Sequence, residues 1–436
     1  MLSADNERAT ERSTHGHGVT PITTDVSKRV SWWRAGAIPS AEKDQKDSTE
    51  HPDEHAPDEQ TTEGRQMSIA SAEMTTSLRR NAGRAASHGY GVTPVDRQDF
   101  VGTSVQGRAL ATYLRTTVRP FLGLWAQTHS LPWPTGLVDQ AGRLLPPVGT
   151  TRCTPVKLDN CRAEWVHSDR PRRLGPTGRS ETPRRRADRD RVILYLHGGA
   201  FVVCGLNSHR RLTSRIAHTT GADVLSIDYR MMPRNPISHA VEDGVDGYRY
   251  LLDSGYLPEQ IFIAGDSAGG YLSFMVSLAL TSLGLPQAGG IIALSPLTDL
   301  DPSRKMAHPN AARCPVFPAG AVPALTALAD SVEARIVVEG KRGPRVCPVN
   351  ADLSDMPPVL LQVGSNEMVY ADSELMADRL AEAGVDCRLQ VWENQVHVFQ
   401  AADFVPESGR AIREIAAFVD ERVASRGRTS AIRPGA

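Results

Sequence analysis

Ile261-Phe-Ile-Ala-Gly265-Asp266-Ser267-Ala268-Gly269-Gly270 places a serine between two glycines as G-x-S-x-G. An apolar, strand-like run leads into it and a helical pattern leads out. A serine held on a sharp strand-to-helix turn is exposed at the strand's carboxyl end, beside a helix N-terminus, and can act as a nucleophile. The flanking glycines let neighbouring segments approach closely. A glycine-rich turn with an incidental serine is the plain alternative, so the motif counts only with partners. One partner is Leu194-Tyr-Leu-His197-Gly198-Gly199-Ala200-Phe201, at the end of another strand-like run. Acyl transfer builds negative charge on a carbonyl oxygen, which rigid backbone N–H groups can stabilise. The expected donors are the N–H groups of Gly198 and Gly199, with a third from Ala268. His197 is expected to brace this loop and not to act as a base. Asp266, next to the serine, is a supporting residue.

A serine nucleophile needs a base and an acid to orient it. Where the nucleophile sits on such a turn, the chain order is serine, acid, histidine. His397 follows the strand-like run at 388–392 and a polar turn, which is where that order puts the base. The acid should follow the run at 359–364. Glu367 and Asp372 both lie there, in Gly364-Ser-Asn-Glu367-Met-Val-Tyr-Ala-Asp372. Glu367, three residues past the glycine, is the preferred acid. Asp372, further on, could instead cap a helix. The acid's task is to accept the imidazole N–H, fix the tautomer and stabilise the imidazolium.

These residues must be carried by a framework. From 192 onward short apolar runs alternate with amphipathic stretches. Strand candidates are 192–196, 224–228, 261–265, 291–295, 359–364 and 388–392; helices are expected near 208–219, 239–253, 268–283, 371–383 and 408–424. That alternation implies an α/β fold with a mostly parallel sheet covered on both faces. Residues 156–158 and 162–166 read as an entry hairpin. Between 105 and 150, Leu110, Leu114, Val118 and Leu122 recur at helical spacing, with Pro120, Pro132 and Pro134 breaking the run into short helices. Residues 1–104 are polar and acid-rich in part, and are expected to be a disordered extension. An over-extended gene start is the preferred explanation for that stretch, since Met67 and Met74 lie just ahead of the first structured region. Residues 426–436 read as a flexible tail. The arginine-rich stretch 169–191 has no aromatic residue for base stacking and is expected to be a solvated insertion.

Composition excludes several classes. Hydrophobic residues make up 40% and charged residues 23% of the 436, as in a globular protein, and the formal net charge of −1 argues against a nucleic-acid partner. No apolar run is long enough to span a membrane. The first residues have no apolar signal region, so a cytoplasmic location is expected, with peripheral membrane contact left open. The six cysteines form no C-x-x-C pair and no zinc spacing, so no metal is expected.

Taken together, the chain resembles the hormone-sensitive-lipase family of α/β-hydrolases, especially its bacterial esterases and lipases. The match rests on His197-Gly-Gly-Ala-Phe, on Asp228-Tyr-Arg with Pro233 and Ala240-Val-Glu-Asp243, on Gly265-Asp-Ser-Ala-Gly-Gly270, and on Pro357-Pro with Gly364 and His397. It covers about 105 to 425. The resemblance implies an α/β-hydrolase domain with an N-terminal cap at 105–150 over the acyl pocket and a Ser267, Glu367, His397 triad. It also implies no cofactor, and small ester or lipid substrates with short to medium acyl chains. Three departures stand out. Ala200 replaces the third glycine, Glu367-Met-Val replaces the usual Asp-Pro-Leu around the acid, and Met231-Met232-Pro233-Arg234 replaces Leu-Ala-Pro-Glu. A catalytically silent receptor, an amidase or a lactonase on the same fold are the alternatives. Oligomeric state is left open, a dimer included.

Overall fold

The computed structural model describes residues 93–167, 191–334, 337–338, 341–342 and 347–431, with side chains as far as Ser425 in the last helix. The stretch 169–190, residues 1–92 and the final 432–436 lie outside the described residues, with the expectations that fall on them.

In chain order the elements are β1 (Asp96–Phe100), α1 (Val105–Thr116), α2 (Val118–Gln127), α3 (Gly136–Ala141), β2 (Arg152–Lys157), β3 (Arg162–His167), β4 (Val192–Leu196), α4 (Leu206–Thr220), β5 (Asp223–Asp228), α5 (Ile237–Asp253), β6 (Ile261–Asp266) and α6 (Ala268–Ser282). Then come β7 (Gly290–Leu294), α7 (Ser303–Ala307), α8 (Asn310–Arg313), α9 (Ala321–Glu333), β8 (Val337–Val338), β9 (Lys341–Arg342), β10 (Val359–Gly364), α10 (Tyr370–Glu382), β11 (Cys387–Trp392) and α11 (Pro406–Ala431). Nine strands form one sheet in the order β1-β11-β10-β7-β6-β4-β5-β3-β2, and β8 and β9 pair separately. All pairings from β1 to β5 are parallel, while β3 and β2 run antiparallel at one edge.

The central strands are apolar because both faces are covered. In β4, Val192, Leu194 and Leu196 pack into one core and Ile193 and Tyr195 into the other, following the two-residue period of a strand. The second core is closed by Leu212 and Ile216 of α4 and by Ile412, Ile415, Phe418 and Val419 of α11. Each such buried side chain contributes about 1.5–3 kcal/mol. Register then does the positioning. Leu196 pairs with Gly265, Asp266 with Leu294, and Gly364 with Trp392, so the loops that leave these strands start at one edge. The sheet order reverses around β6 and β4, where ligands of open α/β sheets bind.

Three expectations need correction and one a refinement of place. Residues 96–100 were placed in the polar extension but form β1. This five-residue strand is a product of pairing with β11 and of stacking of Phe100 on Trp392, 3.9 Å between ring centroids. Pro120 does break the run, but upstream of itself: it has no N–H to donate to the Thr116 carbonyl, so the break falls at Thr117 and Pro120 sits in the first turn of α2. Residues 321–333 form a helix that was not anticipated, although Val322, Leu325, Leu328, Ala329 and Val332 carry the helical period. The last helix continues to Ala431, past the boundary at 425. Among the described residues no helix is long and apolar enough to cross a membrane.

Candidate active site

Ser267 is the N-cap of α6, with φ 52° and ψ −116°. A serine rarely occupies this region, and holding it there costs roughly 1–3 kcal/mol. The surroundings over-determine it: Ser267 N–H donates to the Leu294 carbonyl (2.8 Å), and its own carbonyl accepts Leu297 N–H (3.1 Å). The turn is tight enough to require glycine, since a Cβ on Gly269 would lie 1.9 Å from the Leu196 oxygen. Thus the motif closes directly against the end of β4.

Beyond β10 and β11, two loops bring Glu367 and His397 together. His397 Nδ1 lies 2.7 Å from Glu367 Oε2. With the proton on Nδ1 shared toward the carboxylate, Nε2 is the basic nitrogen. Glu367 is fully buried. Its other oxygen accepts the Ser295 hydroxyl (2.7 Å) and Gly364 N–H (2.5 Å). Ser295 is at φ 47°, and its hydroxyl oxygen also accepts Val398 N–H at 3.1 Å. One side chain therefore ties the loop of Glu367 to that of His397. Asn310 supports the same turn by donating to the carbonyls of Ser365 and Glu367, both at 2.8 Å.

Asp372 goes elsewhere. It lies in the first turn of α10, buried, with Lys305 Nζ at 2.9 Å, and it accepts the N–H groups of Thr298 (3.0 Å) and Asp299 (3.1 Å). It caps none of its own helix; it neutralises a buried lysine and holds the loop after β7. Burial pushes its carboxyl up from the ordinary value, and Lys305 pulls against that.

The glycine loop after β4 also departs from expectation. Gly198 N–H donates to Asp266 Oδ1 at 3.0 Å, so it is not free to serve an oxyanion. A Cβ on Gly198 would sit 2.1 Å from Asp266 Oδ2, which is why this position must be glycine. The N–H groups of Gly199 (φ 115°) and Ala200 (φ 54°) have no acceptor among the described residues. Both residues line the cavity described below, as does Ser267. Ala268 opens α6, where first-turn N–H groups have no intrahelical acceptor.

Asp266 is the post on which this loop hangs. Buried, it accepts Tyr195 Oη–H (2.7 Å) and Gly198 N–H, and lies 3.3 Å from His209 Nε2. Burial opposes its charge, but His209 and the Tyr195 hydroxyl outweigh that and hold its carboxyl below the ordinary value. Burial likewise opposes a charged His209, and Asp266 outweighs it, raising the imidazole's pKa. His209 is a residue the sequence reading passed over; its partner is far along the chain and leaves no local signature. His197 has its Nδ1 2.7 Å from the Gly198 carbonyl and stacks on Tyr229 at 4.3 Å. Burial first, then His209, push its pKa down to about 4.

Above Ser267 lies a cavity of about 500 Å³. Phe121, Trp125, Trp133, Leu137 and Val138 of the N-terminal helical segment form one side; Val202, Leu297, Phe317 and Leu325 form another. Phe317 also packs edge-on against His397, ring centroids 4.7 Å apart. A larger hollow of about 830 Å³ lies by β1, α7 and α10, lined in part by Arg97, Arg304, Glu374 and Asp378, and contains none of the residues above. Among the described residues no cluster of ligating side chains suits a metal.

A family model of the alpha/beta hydrolase fold matches residues 193–401. The chain is 40% identical to Esterase LipU of Mycobacterium tuberculosis over 305 residues, covering 70% of this chain and 98% of that protein. The chain belongs to the hormone-sensitive-lipase family of α/β-hydrolases. As a member of that family it is a carboxylic ester hydrolase. Another relative is the Carboxylesterase/phospholipase LipF of the same organism, 37% identical over 74% of this chain and 83% of that protein. Among solved structures, EstE5 superposes with a TM-score of 0.62 at 28% identity, covering 74% of this chain and 99% of that one. An esterase from the bacterial hormone-sensitive lipase family gives a TM-score of 0.57 at 30% identity, covering 70% and 97%.

Proposed function

We propose that this hydrolase cleaves carboxylic esters through an acyl-enzyme on Ser267, with His397 as general base and Glu367 as its orienting acid. His397 takes the hydroxyl proton as Ser267 attacks the ester carbonyl. The tetrahedral oxyanion is held by the N–H groups of Gly199, Ala200 and Ala268. The alcohol leaves with the proton from His397. Water, deprotonated by the same imidazole, then releases the acid. Glu367 accepts the imidazole N–H and stabilises the imidazolium. Helices α1–α3 act as the cap, and the acyl chain occupies the cavity beneath them. An apolar space of about 500 Å³ suits short to medium chains, falling within the roughly 300–1,000 Å³ of small-molecule sites.

The observation that carries this reading is Ser267 in its strained elbow, bordering a cavity whose Phe317 wall packs on a histidine already paired with a carboxylate. The test is labelling with a fluorophosphonate, followed by turnover of p-nitrophenyl esters. Ser267→Ala and His397→Ala should each abolish labelling and reduce kcat on the order of 10⁴-fold or more. A wild-type protein that binds esters without labelling or turnover would instead be a receptor on this fold.

A further inference from the structure

Helix α4 follows directly on the oxyanion loop, and its N-cap is Gly205, which has no side chain to satisfy the exposed N–H groups of the first turn. The missing acceptor comes from the cap. Asp139, on α3, accepts Ser208 N–H on Oδ1 (2.9 Å) and the Asn207 side-chain N–H on Oδ2 (2.6 Å). A Cβ built on Gly205 would lie 2.9 Å from Asp139 Oδ1, so the carboxylate occupies the space a local capping side chain would use. One turn on, a Cβ at Gly142 would lie 2.4 Å from the Ser208 Cα; the two elements touch backbone to backbone. The first turn of α4 is itself fixed. Ser208 Oγ accepts Gly205 N–H at 3.0 Å, and the next residue, His209, reaches Asp266 beside the nucleophile. The two residues before Asp139 are Leu137 and Val138, which line the cavity.

We propose that Asp139 is a positioning residue: it latches the α3 wall of the acyl cavity onto the first turn of α4, and so sets the affinity for longer acyl chains without touching substrate. This rests on the reading of that cavity as the acyl site. A helix that caps itself would be stable whether or not the cap sits on it. Here the capping carboxylate and the pocket wall belong to the same short helix, so seating the wall and completing α4 are one event. A short acyl group leaves the far wall uncontacted and is indifferent to it.

The experiment compares p-nitrophenyl acetate with p-nitrophenyl hexanoate on the full chain. Asp139→Ala should raise KM for hexanoate on the order of tenfold, the scale of one lost charge-assisted hydrogen bond. Its kcat, and both constants for acetate, should stay near wild type. Asp139→Asn keeps one acceptor and should fall between. Asp139→Ala also removes the cap of α4, so its Tm should drop. Adding Gly205→Ser in that background supplies a local N-cap in the vacated space. Tm should recover while the hexanoate KM stays raised. An unchanged hexanoate KM in Asp139→Ala, or its recovery along with Tm on adding Gly205→Ser, would overturn the latch and leave Asp139 a helix cap only. Phe121→Ala and Leu137→Ala separate the two layers of the argument. If they shift the chain-length profile and Asp139→Ala does not, the latch alone fails. If neither shifts it, the acyl site is elsewhere and the latch falls with it.

Discussion

Replacing Ser295 by alanine is a sharp test of how this site is held together, because the residue does not line the cavity and its hydroxyl bonds the loops of Glu367 and His397. Its hydroxyl donates to Glu367 Oε1 at 2.7 Å and accepts Val398 N–H at 3.1 Å. Alanine removes both bonds while keeping the backbone shape at φ 47°. Glu367 is fully buried and would keep Gly364 N–H on that oxygen, so the acid remains bonded there but is less firmly placed. A hydrogen bond to a charged group contributes about 1.5–3 kcal/mol. If that is felt fully when the imidazolium forms, kcat falls about 10- to 100-fold, one decade per 1.36 kcal/mol. Val398 N–H, next to His397, loses its acceptor as well, which costs stability by a further 1–3 kcal/mol or so. Two readouts separate these effects. Steady-state kinetics well below the new Tm should show the loss in kcat, with KM unchanged because Ser295 does not line the cavity. Thermal unfolding should show a lower Tm. A variant within twofold of wild-type kcat, or one whose defect lies in KM, would refute the idea that this hydroxyl aligns acid and base.

Glu367→Gln should damage kcat far more than Asp372→Asn, because only Glu367 contacts His397; the reverse ranking in an ester assay would transfer the role to Asp372. Asp372→Asn should instead act on folding: it strands the buried Lys305 ammonium, and breaking such a pair costs about 3–5 kcal/mol, measurable by urea denaturation. The His209–Asp266 pair gives stability a pH signature. Asp266 is lowered in the fold, so its contribution is present above the unfolded carboxyl pKa of about 3.9 and is lost as pH falls through the folded value. His209 is raised, so its contribution is complete below the unfolded imidazole pKa of about 6.5 and is lost as pH climbs through the folded value. The stability gap between wild type and His209→Gln should therefore narrow as pH rises above that point in denaturation curves; a constant gap would show that His209 is not charged in the fold.

Much of this was legible in the residues alone. Continuous apolar runs ended where β4, β6, β7, β10 and β11 end, to within a residue or two, because a strand buried on both faces leaves no other composition open. Ser267, Glu367 and His397 stand out as candidates because each follows such a strand, and register brings the loops that leave those strands to one edge. What could not be read were choices between equivalent groups. Nothing in His-Gly-Gly-Ala says that Gly198 N–H is spent on Asp266, and nothing in Glu367…Asp372 says that a lysine at 305 claims the second carboxylate. Strand β1 carries only polar residues and one phenylalanine, so its conformation comes from β11. Asp139 reads as an ordinary helix residue until α4 arrives without a cap of its own. In each case the deciding bond joins groups tens to hundreds of residues apart. A chain's local pattern records which faces must be buried, but a hydrogen bond's partner is fixed only when the packed elements bring one donor, and not its neighbour, within reach.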